Sequence, residues 1–544
     1  MKSSIPIPGC AVLAVLMSTP AAAQYVDPIG IPTPSFGTTE RAPSRPEPWS
    51  APVERYYYVE HRAGCAIDTN GTPAAPRCTI PTTLEAGSVV ELHGSYPTAH
   101  TNGDRIVMNG TAEAPVYIRG RDETSRPTIT QPWEVRGTYA VLEHLEFAAA
   151  AGTGRWQLVV SRQTSHLAVR HNELHGTPSS GGLGVFDADG TGGQPLNNVV
   201  VWDNRIHDNG NLAAPDDNPA NGADYHGVNI ACADHVWVVG NELAANSGDG
   251  VQINGGRSGQ ACTNHIYLGL NVAHGNRQTG LWTKQAVDVV FSQNRVYDHR
   301  PAKGSGVGAC VGGQYAPDYV WFLFNDLHDC ELGILMASDS DLGTGTRLFA
   351  IGNVIHAITD SDGSFDAANG YTDCGIALWG GVNRYVLQNT LYDVPSGICS
   401  PAQQGLLSVW NNVIDTLNQA DGFHILFPGA GYAWRGAANL FAPNRRLSIA
   451  GRETTAKPPL EDALGKVVAA AGFRDAAKAD FALAEGSPAI DLIASPAIDS
   501  LYAAYEERYG VGIRRDAGGR ARPVKRYDAG AYEWPDGTER GAAR

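Results

Sequence analysis

Three consecutive segments of the chain carry polar side chains at matching positions, and these side chains could act on a sugar polymer. The segments read GVNIA from Gly227, GVQIN from Gly250 and GLWTK from Gly280. In each segment an apolar residue follows the glycine and the next residue is polar or aromatic, an alternation that points successive side chains to opposite faces of a strand. The predicted outward strip comprises Asp224, His226, Asn229, Asp249, Gln252, Asn254, Trp282 and Lys284.

A strip of this composition suits the binding of a carbohydrate. An indole covers the apolar face of a pyranose, while amides and carboxylates form hydrogen bonds with its hydroxyl groups. The residues assigned to substrate binding are Trp282, Gln252, Asn229, Asn254, His299 and Arg277.

The segment from residue 277 to residue 303 is locally basic, with five Lys or Arg residues against two Asp residues. Elimination at a uronate needs its carboxylate neutralised, so that the adjacent C–H becomes acidic, and a base that takes the proton. Lys284 is the predicted base, and His299 or Arg300 would assist the carboxylate or the leaving oxygen. The full set of predicted catalytic residues is Lys284, His226, Asp249, Asp224 and Arg300.

The carboxylates of the same region allow alternatives to elimination by a lysine base. A calcium ion held by Asp216, Asp217 or Asp224 could neutralise the uronate in place of a basic side chain. Hydrolysis with Asp224 and Asp249 as the acid and base is the rival reaction, and uronate epimerisation ranks third. A carbohydrate-binding or surface protein without catalysis is the alternative from another class.

The elements that position these side chains are short strands repeated along the chain. The repeat is marked by an asparagine that recurs every 23 to 37 residues, at Asn172, Asn204, Asn241, Asn271, Asn294, Asn325, Asn353, Asn389 and Asn412. Positions five and three before it are mostly apolar, which is the period of a strand with one buried face. Such spacing, without a helical period of ten or more residues, is typical of a β-solenoid.

Strands this short cannot bury their apolar face alone, so successive coils must stack in parallel and the asparagines must form one file. Side-chain amides in that file would pair from coil to coil. The predicted fold is all-β, a right-handed parallel β-helix solenoid with N-terminal entry coils and a C-terminal capping segment. Over residues 136–440 the chain resembles the pectin-lyase-like β-helix family. Nearer the N-terminus, the segments AGSVVELHGSY and GTAEAPVYIRG resemble the first coils of secreted β-helix polysaccharide lyases.

The chain divides into four predicted segments. Residues 1–23 have the basic start, apolar stretch and Ala-rich end of a secretory signal peptide. Residues 24–54 are Pro-rich and are expected to form a flexible leader, residues 55–440 form the β-helix, and residues 441–544 form a C-terminal cap. The C-terminal segments DAGGRARP and DAGAYE resemble the end of many secreted β-helix proteins. We expect their Arg and carboxylate side chains to pair with one another.

Eight cysteines follow the predicted signal peptide, which contains a ninth. Neighbouring cysteines are separated by 13, 30, 20 and 25 residues, and the last three gaps are about one coil. Stacked coils bring residues one period apart close together, although sequence leaves other connectivities and free thiols open. The favoured pairs are Cys65 with Cys78, Cys232 with Cys262, Cys310 with Cys330 and Cys374 with Cys399. Disulfides indicate a secreted or periplasmic location.

The charge of the chain limits its partners. The formal net charge is −16, so the general electrostatic footprint of a nucleic-acid-binding protein is absent. After the signal peptide no apolar run approaches the 18 residues of a membrane span. The acidity also weighs against a polyanionic substrate unless a local groove reverses the field. From the polar strip we expect a polysaccharide substrate, and we expect the protein to be a monomer.

Overall fold

The structure is a computed structural model that describes most of the chain in stretches separated by short gaps. The described residues are 24–149, 156–186, 196–255, 262–302, 307–337, 347–361, 363, 373–400, 405–427, 433–443, 447–449, 452–454, 465–492, 496–524 and 526–535. The predicted signal peptide, residues 1–23, lies outside them, as does Lys303 at the end of the basic segment.

The chain winds so that its strands stack into three columns. The first column contains Tyr56–Glu60, Val89–His93, Val116–Arg119, Ser165–Arg170, Leu196–Trp202, Ala233–Val239, Asn264–Gly269, Val287–Ser292, Asp318–Leu323, Arg347–Ile351, Asn383–Leu387, Leu406–Trp410 and Ala433–Ala437. The second column contains Thr83–Glu85, Ile106–Asn109, Trp156–Val160, Gly181–Val185, Val228–Ala231, Val251–Asn254, Leu281–Lys284, Ala309–Gln314, Leu332–Met336, Cys374–Leu378, Ser396–Cys399, Ile425–Phe427 and Leu447–Ile449. The 11-residue strand Trp133–Glu143 runs through both columns.

The third column and the remaining elements complete the molecule. The third column contains Ser95–Tyr96, Thr128–Ile129, Glu146–Phe147, Glu173–His175, Arg205–His207, Glu242–Ala244, Val272–His274, Arg295–His299, Asp326–Cys330, Val354–His356, Thr390–Val394, Val413–Leu417, Asn439–Ala442 and Gly465–Val467. Arg452–Thr454 pairs antiparallel with the last strand of the second column, and Phe473–Asp475 pairs with Asp480–Leu483. The helical elements are the short 3₁₀ turns Asn102–Asp104, Pro219–Asn221 and Ala476–Lys478 and the α-helix Pro496–Tyr509.

Successive coils lie directly over one another. In the first column Val199, Val236, Ile266 and Val289 pair in turn, all in parallel strands, and their buried side chains belong to one continuous core. Connections between parallel strands of one sheet are right-handed. The structure confirms the predicted right-handed parallel β-helix.

The asparagine file predicted from the repeat is confirmed and is one coil longer. Each side-chain amide donates to the side-chain oxygen of the next asparagine at 2.9 to 3.1 Å. The file runs from Asn172 to Asn439, and every member is at most 3% exposed. Because each amide also donates to a backbone carbonyl of a preceding coil, for example Asn271 to Val238 at 2.8 Å, the file satisfies polar groups that are costly to bury unpaired.

The outer face of the first column is apolar as well as its inner face. It presents Val141, Ala168, Val200, Trp237, Tyr267, Val290, Trp321 and Phe349, all nearly inaccessible to solvent. Two segments from the ends of the chain cover this face, because a stack of aromatic side chains would otherwise meet water.

The first covering segment is the Pro-rich leader. Its Ile31, Phe36 and Trp49 are buried in the cluster on the outer face of the first column, and the carbonyl oxygen of Pro32 accepts a hydrogen bond from the indole of Trp237 at 2.7 Å. The expectation that residues 24–54 form a flexible leader is therefore wrong: the leader lies along the stack.

The second covering segment is the C-terminal helix Pro496–Tyr509. Its Arg508 forms an ion pair with Asp288 of the first column, through Nη2 and Oδ2 at 2.8 Å, and Tyr505 packs edge-on against Trp321 with ring centroids 4.7 Å apart. The cap that follows closes on itself, since the buried guanidinium of Arg522 pairs with Glu533. This pairing confirms the role expected for the charged residues of the closing segment.

The four favoured cysteine pairs are bonded in the structure: Cys65–Cys78, Cys232–Cys262, Cys310–Cys330 and Cys374–Cys399. Because disulfides persist in oxidising compartments, they favour a location outside the cytoplasm. Among the described residues, no helix has the length and apolar character needed to cross a bilayer.

Candidate functional site

The predicted outward side chains lie on the second column and in the turns that lead into it. Asn229, Gln252 and Trp282 pair in consecutive coils, and Asn254 pairs with Lys284. Neighbouring strands lie about 4.8 Å apart, so each of these rows runs along the axis of the β-helix. The register predicted from the glycines is confirmed.

The residues of the predicted strip nevertheless fall into two groups that are too far apart to contact the same sugar. Asp249 precedes the strand Val251–Asn254, whereas Lys284 ends the strand Leu281–Lys284. Thr279 is the counterpart of Asp249 in the next coil, and Lys284 lies five residues beyond Thr279, which is about 16 Å along a strand. We therefore distinguish two sets of residues. The turn-end group is Asp224, His226 and Asp249, and the strand-end row is Asn254, Lys284 and Gln314.

Asp249 is the buried centre of the turn-end group and is 2% exposed. Its Oδ1 accepts hydrogen bonds from the hydroxyl and the backbone N–H of Thr279, at 2.5 and 3.2 Å, and its Oδ2 accepts one from the Gln252 amide at 2.8 Å. Oδ1 thus joins Asp249 to the next coil, and Oδ2 holds a side chain of its own coil, as Asp often does in turns. This geometry favours a positioning role for Asp249 over proton transfer to a ligand.

His226 lies between the two carboxylates of the turn-end group. Its Nδ1 accepts the backbone N–H of Asp249 at 2.9 Å, so the neutral ring carries its proton on Nε2. Nε2 lies 3.7 Å from Oδ1 of Asp224. The Asp224 side chain is 39% exposed and also contacts the Gln278 amide at 3.3 Å. Asp224 is therefore the member of the group that a ligand can reach most readily.

Two aromatic rings that the sequence did not single out border the turn-end group. Trp156 lies beside His226, with ring centroids 6.4 Å apart, and packs edge-on against Phe186 at 5.7 Å. Gly181 and Gly184 leave room for these rings, since a Cβ at either position would come within 2.4 or 2.2 Å of a ring carbon. Both rings are partly exposed, so they can provide the apolar platform that a pyranose needs.

The strand-end row brings Lys284 between two amide side chains. Lys284 pairs with Asn254 on one side and Gln314 on the other, and the Asn254 amide donates to Oδ1 of Asn229 at 2.7 Å. All four side chains are partly exposed. Within the part of the chain that the structure describes, no carboxylate oxygen lies within 4.0 Å of the Lys284 ammonium group.

Trp282 does not provide the predicted sugar platform. The indole is 5% exposed and belongs to a buried cluster with Leu332 and Leu335. It lies over Gly312, where a Cβ would come within 2.6 Å of the ring. A buried indole has no free face for a pyranose, so the prediction for Trp282 is corrected.

His299 is also removed from the substrate-binding set, because it is fully buried. It ends a second file of amides, in which Gln157, Asn209, Asn246 and Asn276 are joined by hydrogen bonds of 2.7 to 2.9 Å. Nδ1 of His299 lies 3.2 Å from the carbonyl oxygen of Asn276. Burial lowers the pKa of His299 to about 4, because the charged ring would be desolvated.

Arg277 and Arg300 lie on the turn side of the molecule and do not join the strand-end row. Both line a pocket of about 360 Å³ together with Leu212. Arg277 is paired with Asp217 at 2.6 Å, and Arg300 donates to the carbonyl oxygen of Asp329 at 2.6 Å. Their predicted contact with the same sugar as Lys284 is therefore absent from this geometry.

The carboxylates predicted to bind calcium are engaged elsewhere. Asp216 accepts hydrogen bonds from two amide groups of its own turn, at 2.9 and 3.0 Å, and Asp217 holds a guanidinium. These residues do not fit a Ca²⁺ site. Glu331, Asp360 and Asp373 bring three carboxylate oxygens, the ligand type that Ca²⁺ prefers, within 4.8 Å of one another, but both oxygens of Glu331 already accept hydrogen bonds from the backbone N–H of Ser361, at 2.9 and 3.0 Å.

Comparison with known proteins assigns the chain to no family. No family model and no curated protein matches the sequence. Among solved structures, the chain is similar to a pectate lyase, with 13% identity, 90% of this chain and 98% of that chain covered, and a TM-score of 0.39. It is similar to a rhamnogalacturonan lyase, with 14% identity, coverage of 63% and 83%, and a TM-score of 0.39. A GH136 lacto-N-biosidase from Eubacterium ramulus has 14% identity, coverage of 71% and 67%, and a TM-score of 0.40. At these identities and TM-scores, function has to be argued from the side chains of this chain.

Proposed function

We propose that this protein binds a uronate-containing polysaccharide along the outer face of the second column and cleaves it by β-elimination, with Lys284 as the base. The observation that supports this most is the setting of the Lys284 ammonium group. Lys284 pairs with Asn254 on one side and Gln314 on the other, and no carboxylate oxygen of the described residues lies within 4.0 Å of its side-chain nitrogen. A lysine that is not held in an internal ion pair is available to act on a bound sugar.

The strand-end row also matches the shape of a polymer. Asn254, Lys284 and Gln314 follow one another along the axis at about 4.8 Å per coil, so a linear glycan lying along the axis would meet one side chain after another. The amides form hydrogen bonds with sugar hydroxyls, and Lys284 lies between them in the row, where its amine can reach a C–H of the bound sugar. The net charge of −16 opposes the approach of a polyanion, so binding of a uronate polymer needs local neutralisation of its carboxylates.

The chemistry assigned to Lys284 is proton abstraction. Its neutral amine takes the proton from the carbon beside the uronate carboxylate, the electron pair forms the new C=C bond, and the bond to the leaving oxygen breaks. The resulting ammonium can return the proton to that oxygen. Because Arg277 and Arg300 lie on the turn side, we expect the substrate carboxylate to be neutralised by an added divalent cation.

Hydrolysis at the turn-end group is the second candidate. It is favoured by the partly exposed carboxylate of Asp224 beside His226 and by the platform of Trp156 and Phe186. A pair of carboxylates acting as acid and base is less well supported, because both oxygens of Asp249 accept hydrogen bonds within the fold.

The test is a glycan panel of alginate, pectate and glycosaminoglycans, incubated with the protein in Ca²⁺ and in chelator. Absorbance near 235 nm reports unsaturated uronate, and a parallel assay measures reducing ends. The proposal requires both signals to rise together on at least one uronate polymer. Reducing ends without absorbance would replace it with hydrolysis at the turn-end group, and binding without either signal would replace it with a glycan-binding role.

A further inference from the structure

We propose that Asp234, His235 and His265 form a binding site for a divalent transition metal such as Zn²⁺, at the start of two neighbouring strands of the first column. Nδ1 of His235 lies 3.0 Å from Oδ2 of Asp234, and Nδ1 of His265 lies 2.8 Å from Oδ1. The ligand atoms of the three residues lie within 4.8 Å of one another. Two imidazole nitrogens and one carboxylate oxygen form a ligand set that zinc accepts.

The backbone holds the two imidazoles in equivalent positions. His235 and His265 have positive φ angles of 55° and 51° at the same point of consecutive coils, and the register is fixed because Asp234 pairs with Asn264. The rings lie parallel, with centroids 4.4 Å apart and an angle of 18° between their planes. The ligands are thus positioned by strand pairing before any ion binds, which lowers the entropy lost on binding.

A disulfide joins the two coils that carry the ligands. Cys232 comes two residues before Asp234, Cys262 comes three residues before His265, and the two cysteines are bonded with Cα atoms 4.5 Å apart. The covalent link prevents the coils from separating, so the three donor groups stay together even where the strands end.

A further carboxylate lies behind one of the two imidazoles. Oδ2 of Asp288 lies 3.8 Å from Nε2 of His265, on the side of the ring away from Asp234, and a carboxylate behind an imidazole ligand is common at metal sites. Asp288 is itself fixed by Arg508 of the C-terminal helix. A bound metal would place a divalent charge beside these carboxylates and would link the site to the anchor of the helix.

The chain offers a matched control of the same composition. Asp326, His328 and His356 of the third column also lie close enough to hold an ion. There, however, Nε of Arg295 lies 3.4 Å from Nε2 of His328 and 3.8 Å from Oδ2 of Asp326. A guanidinium already occupies that position and repels a second cation. At the proposed site the three side chains are 33 to 41% exposed, so a hydrated ion can reach them.

The experiment is calorimetric titration of the metal-depleted protein with Zn²⁺, using wild type and the variants His235→Gln, His265→Gln and His356→Gln. We expect about one Zn²⁺ per chain in wild type and in His356→Gln, and an affinity lowered by more than about tenfold in the other two. As an independent readout, Co²⁺ should give a visible absorption band with wild type that disappears in His265→Gln.

The melting temperature provides a second readout, because an ion that binds only the folded protein stabilises it. Zn²⁺ should raise the melting temperature of wild type and of His356→Gln, and should leave that of His265→Gln unchanged. The proposal is overturned if wild type binds no Zn²⁺, if His235→Gln and His265→Gln bind it as wild type does, or if His356→Gln loses it equally. None of these outcomes depends on the activity proposed for Lys284.

Discussion

Substitution of Asn271 by alanine in the middle of the asparagine file should cost the protein much of its stability. The Asn271 side chain accepts hydrogen bonds from the backbone N–H and the amide of Asn241, both at 3.0 Å, and donates to Asn294 Oδ1 at 2.9 Å and Val238 O at 2.8 Å. The substitution removes all four bonds and leaves the buried N–H of Asn241 without this acceptor. At about 1 kcal/mol for each bond and about 1 to 3 kcal/mol for an orphaned group, the expected loss is about 5 to 7 kcal/mol.

Equilibrium unfolding in urea, followed by tryptophan fluorescence, measures this loss. Asn229→Ala is the matched control, because Asn229 is partly exposed and accepts one hydrogen bond, from Asn254, so its free energy of unfolding should change by less than about 1 kcal/mol. If Asn271→Ala were no more destabilised than Asn229→Ala, the file would not hold the coils together and the reasoning would fail.

Three further substitutions test other parts of the structure. The folded-state pKa of His299 is about 4, against an ordinary value of 6.5. The free energy of unfolding that depends on the neutral ring is therefore present above pH 6.5 and falls by about 3 kcal/mol as pH decreases towards 4. His299→Asn should abolish this loss in urea titrations at pH 4.5 and 7.5, and an unchanged pH dependence would contradict the assignment. Trp49→Ala should cost about 3 kcal/mol and expose apolar surface to a hydrophobic dye, whereas unaltered dye binding would show that the leader does not cover the stack. Replacing both Cys232 and Cys262 with serine should lower the free energy of unfolding by about 3.5 kcal/mol on the loop-entropy model, and a loss below about 1 kcal/mol would show that the coils are held without it.

The β-helix could be predicted from the sequence because its two main signals are local. Apolar residues at period two give the strand and its buried face, and a recurrent asparagine gives the length of each coil. Stacking then follows from the need of each coil to bury that face. The disulfides were predictable for the same reason, since one coil of separation in the sequence becomes contact in space.

The packing of the leader was missed, although the sequence contains a sign of it. Strands such as VVVW from Val199 and VWVV from Val236 are apolar at every position, and a strand buried on one face would alternate. Continuous apolar runs indicate that both faces are buried, so something had to cover the first column. What covers it could not be deduced locally, because the leader meets the stack across more than 200 residues of sequence.

The site was predicted in part. Alternation placed Asn254 and Lys284 on the outer face correctly, but it carries no information on distance along a strand, so Asp249 and Lys284 were grouped although they lie at opposite ends of the strip. Trp282 and His299 were misassigned because burial on an outer face, or at the end of a polar file, depends on neighbours several coils away. Trp156 was overlooked because it precedes the aligned segments.

The central claim is that Lys284 is the base of an elimination reaction. Its most direct test is the initial rate of absorbance increase near 235 nm on the best uronate polymer, compared between wild type, Lys284→Ala and the exposed-lysine control Lys466→Ala. Removal of a general base should lower the rate by about 100-fold or more while glycan binding is retained, and Lys466→Ala should behave as wild type. A Lys284→Ala protein that still produces unsaturated uronate at the wild-type rate would contradict the account.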